Sequence, residues 1–186
     1  DPVPSFYLYG EPQRSVAEGF VHVESLDDRS RPSEWTIRPH VHRDLNHIFL
    51  IADGGGAMRA EAAQVRFEAP CLLLIPAGIV HGFDWHRESQ GHVTTIADTY
   101  LRHLLDRDAD LAPLFAAPRA LMLPQEDGSA AEQVIVGLAR ELTEAGCDWQ
   151  IHAYGHTGHA FTDESVHMPE KGLAYSPAAD RLAAPA

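Results

Sequence analysis

Short runs of alternating hydrophobic and polar residues dominate the chain up to about residue 98. Residues two apart share a face of an extended chain, so such runs predict half-buried β-strands. Glycine and proline separate the runs, a spacing typical of a β-sandwich or a small barrel. The predicted strands cover residues 20–23, 35–38, 47–51, 58–60, 64–67, 71–75, 82–85 and 92–96.

After Asp98 the apolar residues recur at helical spacing instead, which predicts helices near 99–106 and 130–145. The second helix is expected to start after Ser129, because Ser129 and Glu132 have the spacing of a capping box. The chain is therefore predicted to be α+β but mainly β. The apolar face of the second helix would consist of Val134, Ile135, Leu138 and Leu142.

Composition and charge narrow the classes of function. The 186 residues carry a formal net charge of −13, and no basic stripe interrupts it, so this chain is not expected to bind nucleic acid itself. No apolar run has the length of a membrane span. The two cysteines, Cys71 and Cys147, give no disulfide framework, and the expected location is the cytoplasm.

The candidate chemistry lies in two histidine motifs. The first is His40-Val41-His42 with His47 behind it, and the second is a Pro-x-Gly-x-x-His turn that ends at His81. His40 and His42 would share one strand face, and neighbouring strands could bring the other two histidines opposite them. The four side chains are expected to point into one cavity. Other histidines, including His22, fit no motif and are expected at the surface or its boundary.

These two motifs resemble those of the cupin barrels, which implies a double-stranded β-helix, or jelly-roll, fold. His47 stands where that pattern usually has Glu. The resemblance implies a metal site at His40, His42, His47 and His81, with Zn, Fe or Ni as the candidate divalent ion. Imidazoles can also line a metal-free pocket, donating to a carboxylate or accepting from a phenol, and that reading stays open beside the metal site.

Three segments extend the resemblance to one family: residues 37–45, 54–56 and 69–83. They are similar to the N-terminal sensor domain of AraC/XylS-type transcription regulators, in the subgroup that responds to hydroxybenzoate-type acids, over about residues 5–125. That likeness implies a barrel that binds a small effector and helices that form a homodimer. The DNA-binding domain of the family has no counterpart in this sequence.

Four residues beyond the metal candidates are expected to contact an effector. Arg38 could clamp a carboxylate through paired hydrogen bonds, although exposed arginines are common. Phe49, Phe83 and Trp85 could stack on an aromatic ring, or simply fill the barrel. The effector-binding set is therefore Arg38, His40, His42, His47, Phe49, His81, Phe83 and Trp85.

The last part of the chain resembles a different family. Its segments 148–155, 158–162 and 174–181 are similar to the closing part of a dienelactone hydrolase, over about residues 141–181. His159 matches the catalytic histidine of that family, but neither the nucleophile motif nor the acidic partner is present. A triad histidine without those groups has nothing to activate, so no hydrolase activity is expected.

The chain therefore has two predicted parts. Residues 1–125 form the effector-binding domain, and residues 126–186 hold one helix and the hydrolase-like fragment, with the junction between 125 and 147. The strand-like segment 149–154 is expected to pack against the barrel or a second subunit. The predicted function is small-molecule sensing, with a cupin metalloenzyme such as a dioxygenase or isomerase as the alternative.

Overall fold

The computed structural model of the chain describes residues 3–108, 110–144, 167–168 and 173–174. Eight of its strands coincide in order with the eight alternating runs of the sequence. The strands are β1 (Val21–Ser25), β2 (Thr36–His40), β3 (Leu45–Asp53), β4 (Gly55–Ala60), β5 (Ala63–Glu68), β6 (Cys71–Ile75), β7 (His81–Trp85), β8 (Gln90–Ala97), β9 (Arg119–Met122), β10 (His167–Met168) and β11 (Leu173–Ala174). The helices are α1 (Leu26–Ser30), α2 (Asp98–Leu105) and α3 (Gln125–Glu144), with a 3₁₀ turn at Ala112–Phe115.

Two antiparallel sheets make up the domain. One has the strand order β1-β8-β3-β6-β9 and the other has the order β2-β7-β4-β5. From β1 to β4 successive strands alternate between the two sheets, and the same alternation returns from β5 to β8. The prediction of a mainly β domain with few helices is confirmed. Closure of these sheets into a barrel stays a prediction.

Strand register sorts the core into layers. In the first sheet, residues that pair across β1, β8, β3 and β6 form rows that run across the strands. One such row on the inner face is apolar apart from Glu24, and a second row is largely polar. The apolar row joins the second sheet through Ile37, Met58 and Phe83, which belong to the same buried cluster. The polar row therefore lies at one end of the core. The two rows are Glu24, Val93, Phe49 and Leu73, and His22, Thr95, His47 and Ile75.

A bulge in β2 sets the direction of the first histidine motif. Ile37 pairs with Phe83 and His40 pairs with His81, so β2 has one extra residue between the two pairs. Pro39 lies in the bulge, where its missing N–H breaks no ladder bond. The extra residue reverses the alternation, so Arg38 and Pro39 are both exposed and His40 is buried.

Gly82 lets β7 approach this bulge closely. A Cβ atom at Gly82 would lie 2.8 Å from the carbonyl oxygen of Ile37 and 3.0 Å from the nitrogen of Pro39. Both neighbours are backbone atoms, which move only if the strand moves. The site that holds His40 and His81 therefore depends on a glycine at this position.

We expect Gly82→Ala to lower the free energy of unfolding by about 1–3 kcal/mol, the range of an overpacked core. Urea denaturation followed by circular dichroism measures it. Gly137→Ala is the matched control, because no atom lies within 4 Å of its added Cβ and alanine favours a helix by about 0.5–1 kcal/mol. A Gly82→Ala protein as stable as the wild type would contradict this account of the bulge.

The helices pack on the first sheet. Leu101 on α2 is buried with Val21 and Ile96, and Leu142 on α3 packs against the same cluster. The prediction for α2 is close, but the predicted start of α3 is wrong. The helix begins at Gln125, and the Ser129 hydroxyl lies inside it, where it donates to the carbonyl oxygen of Gln125 at 3.1 Å.

The predicted apolar face of α3 is also only partly buried. Ile135 and Leu142 are half-buried, whereas Val134 is 71% exposed and Leu138 lies at 36%. Val134 and Leu138 are four residues apart and therefore share a helix face that solvent reaches. The face that α3 turns to the sheet therefore includes Ile135 and Leu142 of the predicted face but not Val134 and Leu138.

Most of the hydrolase-like segment, including 149–154 and His159, lies outside the described residues. Strands β10 and β11 pair antiparallel, His167 with Ala174 and Met168 with Leu173. Among the described residues, no helix combines the length and the apolar character that crossing a membrane requires.

Candidate functional site

The four motif histidines line one cavity between the two sheets. His40 ends β2, His42 follows two residues later, His47 lies on β3 and His81 opens β7. All four are buried, with exposed fractions of 2–5%. The structure thus brings together the side chains that strand spacing predicted to converge.

Backbone carbonyls fix the orientation of three of these rings. Nδ1 of His40 lies 2.8 Å from the Arg38 oxygen, and Nδ1 of His81 lies 2.9 Å from the Ile79 oxygen. Nδ1 of His42 lies 2.7 Å from the Tyr7 oxygen and 3.0 Å from that of Phe6. A carbonyl oxygen only accepts, so the network assigns the proton to each Nδ1 and leaves each Nε2 with its lone pair.

The three lone pairs converge. Nε2 of His40 lies 3.0 Å from Nε2 of His42, and the ligand atoms of His40, His42 and His81 all lie within 4.8 Å of one another. A hydrogen bond between the first two nitrogens would need a doubly protonated ring. Burial opposes that state in both rings, because it lowers the pKa of His40 to about 4 and also lowers the pKa of His42.

This donor set fits a metal ion. Three neutral imidazoles have ligand atoms within 4.8 Å of one another, and each ring has a backbone carbonyl on its Nδ1, the arrangement that orients histidine ligands in metal sites. Facing lone pairs repel one another, and a cation between them removes that repulsion. His40, His42 and His81 are the residues that would hold it.

His47 differs from the other three histidines. Its ring centre lies 4.4 Å from that of His42, but its Nδ1 is buried without a hydrogen-bond partner among the described residues. Burial, followed by the neighbouring histidines, lowers its pKa well below the usual value. In the described part of the chain no carbonyl accepts from Nδ1 of His47, so its tautomer is not fixed in the way that those of His40, His42 and His81 are.

The three predicted aromatic contacts form an adjoining part of the cavity wall. Phe83 stacks on Trp85 with ring centres 4.6 Å apart, and Phe49 lies 4.9 Å from Phe83. Phe67 packs edge-on against Trp85. These rings mainly contact one another, which agrees with the alternative that they fill the core beneath the histidines.

Arg38 lies away from the cavity. The β2 bulge turns its side chain outward, where it is exposed and is not among the lining residues. Its carbonyl oxygen, rather than its guanidinium, contributes to the site by accepting from His40. The expected carboxylate clamp is therefore not formed by Arg38 in this structure.

A charged pair that the sequence analysis missed lines the cavity instead. Glu24 is 6% exposed and Arg29 is 22% exposed, and Arg29 Nε donates to Glu24 Oε2 at 3.0 Å. Burial alone would raise the pKa of Glu24, but the hydrogen bond from His22 and the charge of Arg29 hold it below its usual value. The carboxylate is therefore ionised at neutral pH.

Arg29 is already committed to other acceptors. Besides Glu24, it donates through Nη1 to the Tyr9 oxygen at 3.0 Å and through Nη2 to Glu11 at 3.1 Å. Its positive charge faces two carboxylates. His22, which was expected near the surface, is fully buried and lies 3.4 Å from Glu24. The alternation of His22 and Glu24 along β1 was the sequence signal for this second polar cluster.

The cavity is small, about 40 Å³. An enclosed site needs about 10–15 Å³ for one water, and a cavity of about 150 Å³ holds benzene. The described conformation therefore has space for about three waters or a guest of a few atoms. Leu8 and Tyr9 line the cavity from the N-terminal segment, which His42 holds through the carbonyls of Phe6 and Tyr7.

Comparison with known proteins gives no family assignment: no family model matches the chain, and no curated protein matches it. Solved structures that resemble it include two of ToxT from Vibrio cholerae. One, in a P21 crystal form, has 11% identity and a TM-score of 0.40, covering 54% of this chain and 42% of ToxT. The other, bound to (E)-4-(8-methylnaphthalen-1-yl)but-3-enoic acid, has 13% identity and a TM-score of 0.42, covering 63% and 47%.

A hazelnut (Corylus avellana) vicilin also matches, with 15% identity, a TM-score of 0.28, and coverage of 53% of this chain and 36% of vicilin. The chain spans less than half the length of the ToxT structures that it matches. At these scores the likenesses by themselves establish neither a shared fold nor a function.

Proposed function

We propose that the chain is a cupin-type effector-binding domain of an AraC-type transcription regulator and that it binds a small carboxylic acid reversibly. The strand order supports the fold part of this proposal. Eight strands that alternate between two four-stranded sets, β1-β8-β3-β6 and β2-β7-β4-β5, have the order of a jelly roll. The resemblance over residues 5–125 supports the regulator part.

The convergence of the His40, His42 and His81 nitrogens is the observation that supports acid binding. The only guanidinium among the cavity-lining residues, that of Arg29, is neutralised by Glu24 and Glu11. The described lining therefore offers an acid no uncommitted positive charge. Removing a carboxylate from water without such a partner is strongly unfavourable. A cation at the three imidazoles would provide it.

We therefore propose a divalent transition metal, with Zn, Fe and Ni as candidates, at His40, His42 and His81. When bound there, it supplies positive charge to an acid, since three neutral imidazoles leave that charge uncompensated. The chain itself orients the imidazoles through the carbonyls of Arg38, Tyr7 and Ile79 and excludes bulk water with the aromatic wall. His47 is proposed as a lining residue rather than a ligand.

We further propose that the acid carries an aromatic ring. The volume of the cavity shows what such a ring would require. A ring does not fit in about 40 Å³, so an aromatic acid enters only when lining side chains move. Leu8 and Tyr9 are the candidates, because they reach the cavity from outside the two sheets. An aliphatic acid of a few carbons would require less movement.

Calorimetry of protein loaded with Zn²⁺ or Ni²⁺, and of the same protein stripped with EDTA, tests the proposal. The probes are propionate and benzoate. We expect binding only by the metal-loaded protein, with the acid recovered unchanged in its NMR spectrum. His81→Ala should lose metal and acid binding, whereas His103→Ala, an exposed histidine on α2, should keep both. Equal acid binding with and without metal would contradict the role of the histidines.

A cupin metalloenzyme remains the second candidate, because the same three converging nitrogens would serve a dioxygenase or an isomerase. The two functions differ in the fate of the acid. Catalytic turnover of a bound acid by metal-loaded protein would replace the sensor proposal with the enzyme. Reversible binding without turnover would support the sensor.

Homodimer formation is proposed as well, and the exposed apolar side chains of α3 support it. Val134, Val136 and Leu138 are the large apolar residues that α3 leaves to solvent in the described structure. We also propose that this chain does not itself bind DNA. Its net charge of −13 supports this, because a strongly acidic protein is repelled by the phosphate backbone.

A further inference from the structure

The turn at residues 76–80, between β6 and β7, connects two of the converging histidines. Within it, Gly78 donates its backbone N–H to the carbonyl oxygen of His42 at 2.8 Å. The carbonyl oxygen of Ile79 accepts from Nδ1 of His81 at 2.9 Å. A displacement of the 76–80 turn would therefore move the His81 ring relative to His42 and change the separation of the nitrogens that face each other.

Asn46 fixes this turn from the outer face of the first sheet. It directly precedes His47 on β3, so the two side chains point to opposite faces, and it is 2% exposed. Its Oδ1 accepts from the backbone N–H of Ala77 at 2.9 Å. Its Nδ2 donates to Oδ1 of Asp98, the first residue of α2, at 3.2 Å. One buried amide thus bonds the 76–80 turn and the start of a helix at the same time.

Asp98 in turn holds the start of α2 on the sheet. Its backbone N–H donates to the carbonyl oxygen of Asp44 at 2.9 Å, and its Oδ2 accepts from Nε of Arg102 at 2.7 Å. Because Asn46 is buried and uses both polar atoms of its amide, a displacement of either partner would break a hydrogen bond and leave a buried polar group unsatisfied. The 76–80 turn and the first turn of α2 are therefore held in one common arrangement.

We propose that Asn46 is a positioning residue of the histidine site and that, through it, a metal at His42 and His81 and the first turn of α2 stabilise each other. A metal that fixes the 76–80 turn keeps Asn46 within reach of Asp98. A formed α2 keeps the turn where the nitrogens converge, since such coupling is reciprocal. The inference rests on the metal part of the proposed function.

Zn²⁺ is the probe, and amide hydrogen exchange of α2 is the readout that a purely structural role would not move. The amides of residues 102–105 lie in the last turn of α2, and their exchange reports its local opening. We expect Zn²⁺ to slow their exchange in wild-type protein about fivefold or more. His81→Ala, which lacks one ligand, should show no such slowing.

Variants of Asn46 separate its two bonds. Asn46→Leu removes both, and we expect it to weaken Zn²⁺ binding about tenfold and to abolish the slowing. Asn46→Asp keeps an acceptor for Ala77 but sets a carboxylate against that of Asp98, so it should also abolish the slowing. Adding Asp98→Asn to Asn46→Asp restores a donor–acceptor pair in the reverse direction and should restore the slowing, a result that does not depend on Asn46→Leu folding.

Arg102→Met is the matched control. It removes the other partner of Asp98, whose side chain is 77% exposed, and leaves the bond from Asn46 in place. This variant should keep both the wild-type Zn²⁺ affinity and the slowing. Calorimetric Zn²⁺ titration and circular dichroism of every variant give the affinity and confirm the fold.

The outcomes separate this inference from the proposed function. Zn²⁺ that binds wild-type protein at the histidines but leaves the exchange of α2 unchanged would overturn the inference and leave the metal site standing. Slowing that persists in Asn46→Leu, or a double variant that behaves like Asn46→Asp, would also overturn it. A folded wild-type protein that binds no Zn²⁺ would overturn the proposed metal site and the inference together.

Discussion

Metal-free protein is expected to lose several kcal/mol of stability as the pH falls from 6.5 to about 4. The cause is the burial of His40 and His81, whose folded-state pKa values are about 4 and about 3. Both lie below the ordinary value of 6.5, so the unfolded chain takes up protons in this range before the folded chain does. Stability is therefore full above pH 6.5 and decreases with falling pH until the folded protein protonates.

The magnitude for His40 alone is about 3 kcal/mol, since each unit of pKa difference corresponds to about 1.4 kcal/mol. Urea denaturation in EDTA at a series of pH values would measure the decrease. Between pH 6.5 and 5 ordinary carboxyl groups remain ionised in both states, so the slope there reports the histidines. His40→Gln should make the slope shallower, with His81 still contributing to it, whereas His103→Ala should leave the slope unchanged. A wild-type profile that is flat over this interval would contradict the neutral, buried cluster.

The histidine cluster could be predicted from sequence because its geometry is mostly local. His40 and His42 are two residues apart, and the turn before β7 places His81 at the start of the strand that pairs with β2. Alternation and one antiparallel pairing are sufficient to bring these three rings together. Whether His47 joins them as a metal ligand stays a prediction; among the described residues the group of ligand atoms within 4.8 Å of one another consists of His40, His42 and His81, and Nδ1 of His47 has no hydrogen-bond partner.

Arg38 could not be placed from alternation alone. Its predicted direction depends on the register of β2, and one extra residue at Pro39 reverses that register. Pro39 in a strand and Gly82 opposite it are the signals of the bulge, but each has other common explanations. The bulge can be located at Arg38 and Pro39 only when the pairing of β2 with β7 is known.

Glu24 and Arg29 were missed for a different reason. Arg29 lies on α1, a five-residue helix, which is too short to give a helical period in the sequence. Its contacts with Tyr9 and Glu11 join segments about twenty residues apart. Such contacts follow from the packing of the N-terminal segment over the sheets, and no local pattern encodes them.

The start of α3 was predicted five residues late, because the local pattern of a capping box was outweighed by a packing contact. Ser129 and Glu132 fit a capping box, but the helix continues back through Gly128, which is buried against Pro70. A side chain at that position would collide with the proline ring, so the glycine serves close approach rather than helix termination. Tertiary contact thus extends the helix past a residue that usually ends one.

Replacing Arg29 with Met is expected to lower the free energy of unfolding by about 3–5 kcal/mol, because it leaves the buried Glu24 carboxylate without its cationic partner. Replacing both residues, as Glu24→Leu with Arg29→Met, should restore much of that loss, since neither member of the pair is then charged. Urea denaturation at pH 7 of the wild type, Glu24→Leu, Arg29→Met and the double variant gives the interaction free energy between Glu24 and Arg29.

Arg31→Met is the control for this cycle. Arg31 also forms an ion pair, with Glu88 at 2.8 Å, but both side chains are more than half exposed, at 53% and 66%. Exposed pairs contribute at most about 1 kcal/mol, so this variant should differ little from the wild type. If Arg29→Met were equally mild, Arg29 would not be committed to Glu24. Its guanidinium could then bind an acid directly, and the need for a metal at the histidines would disappear.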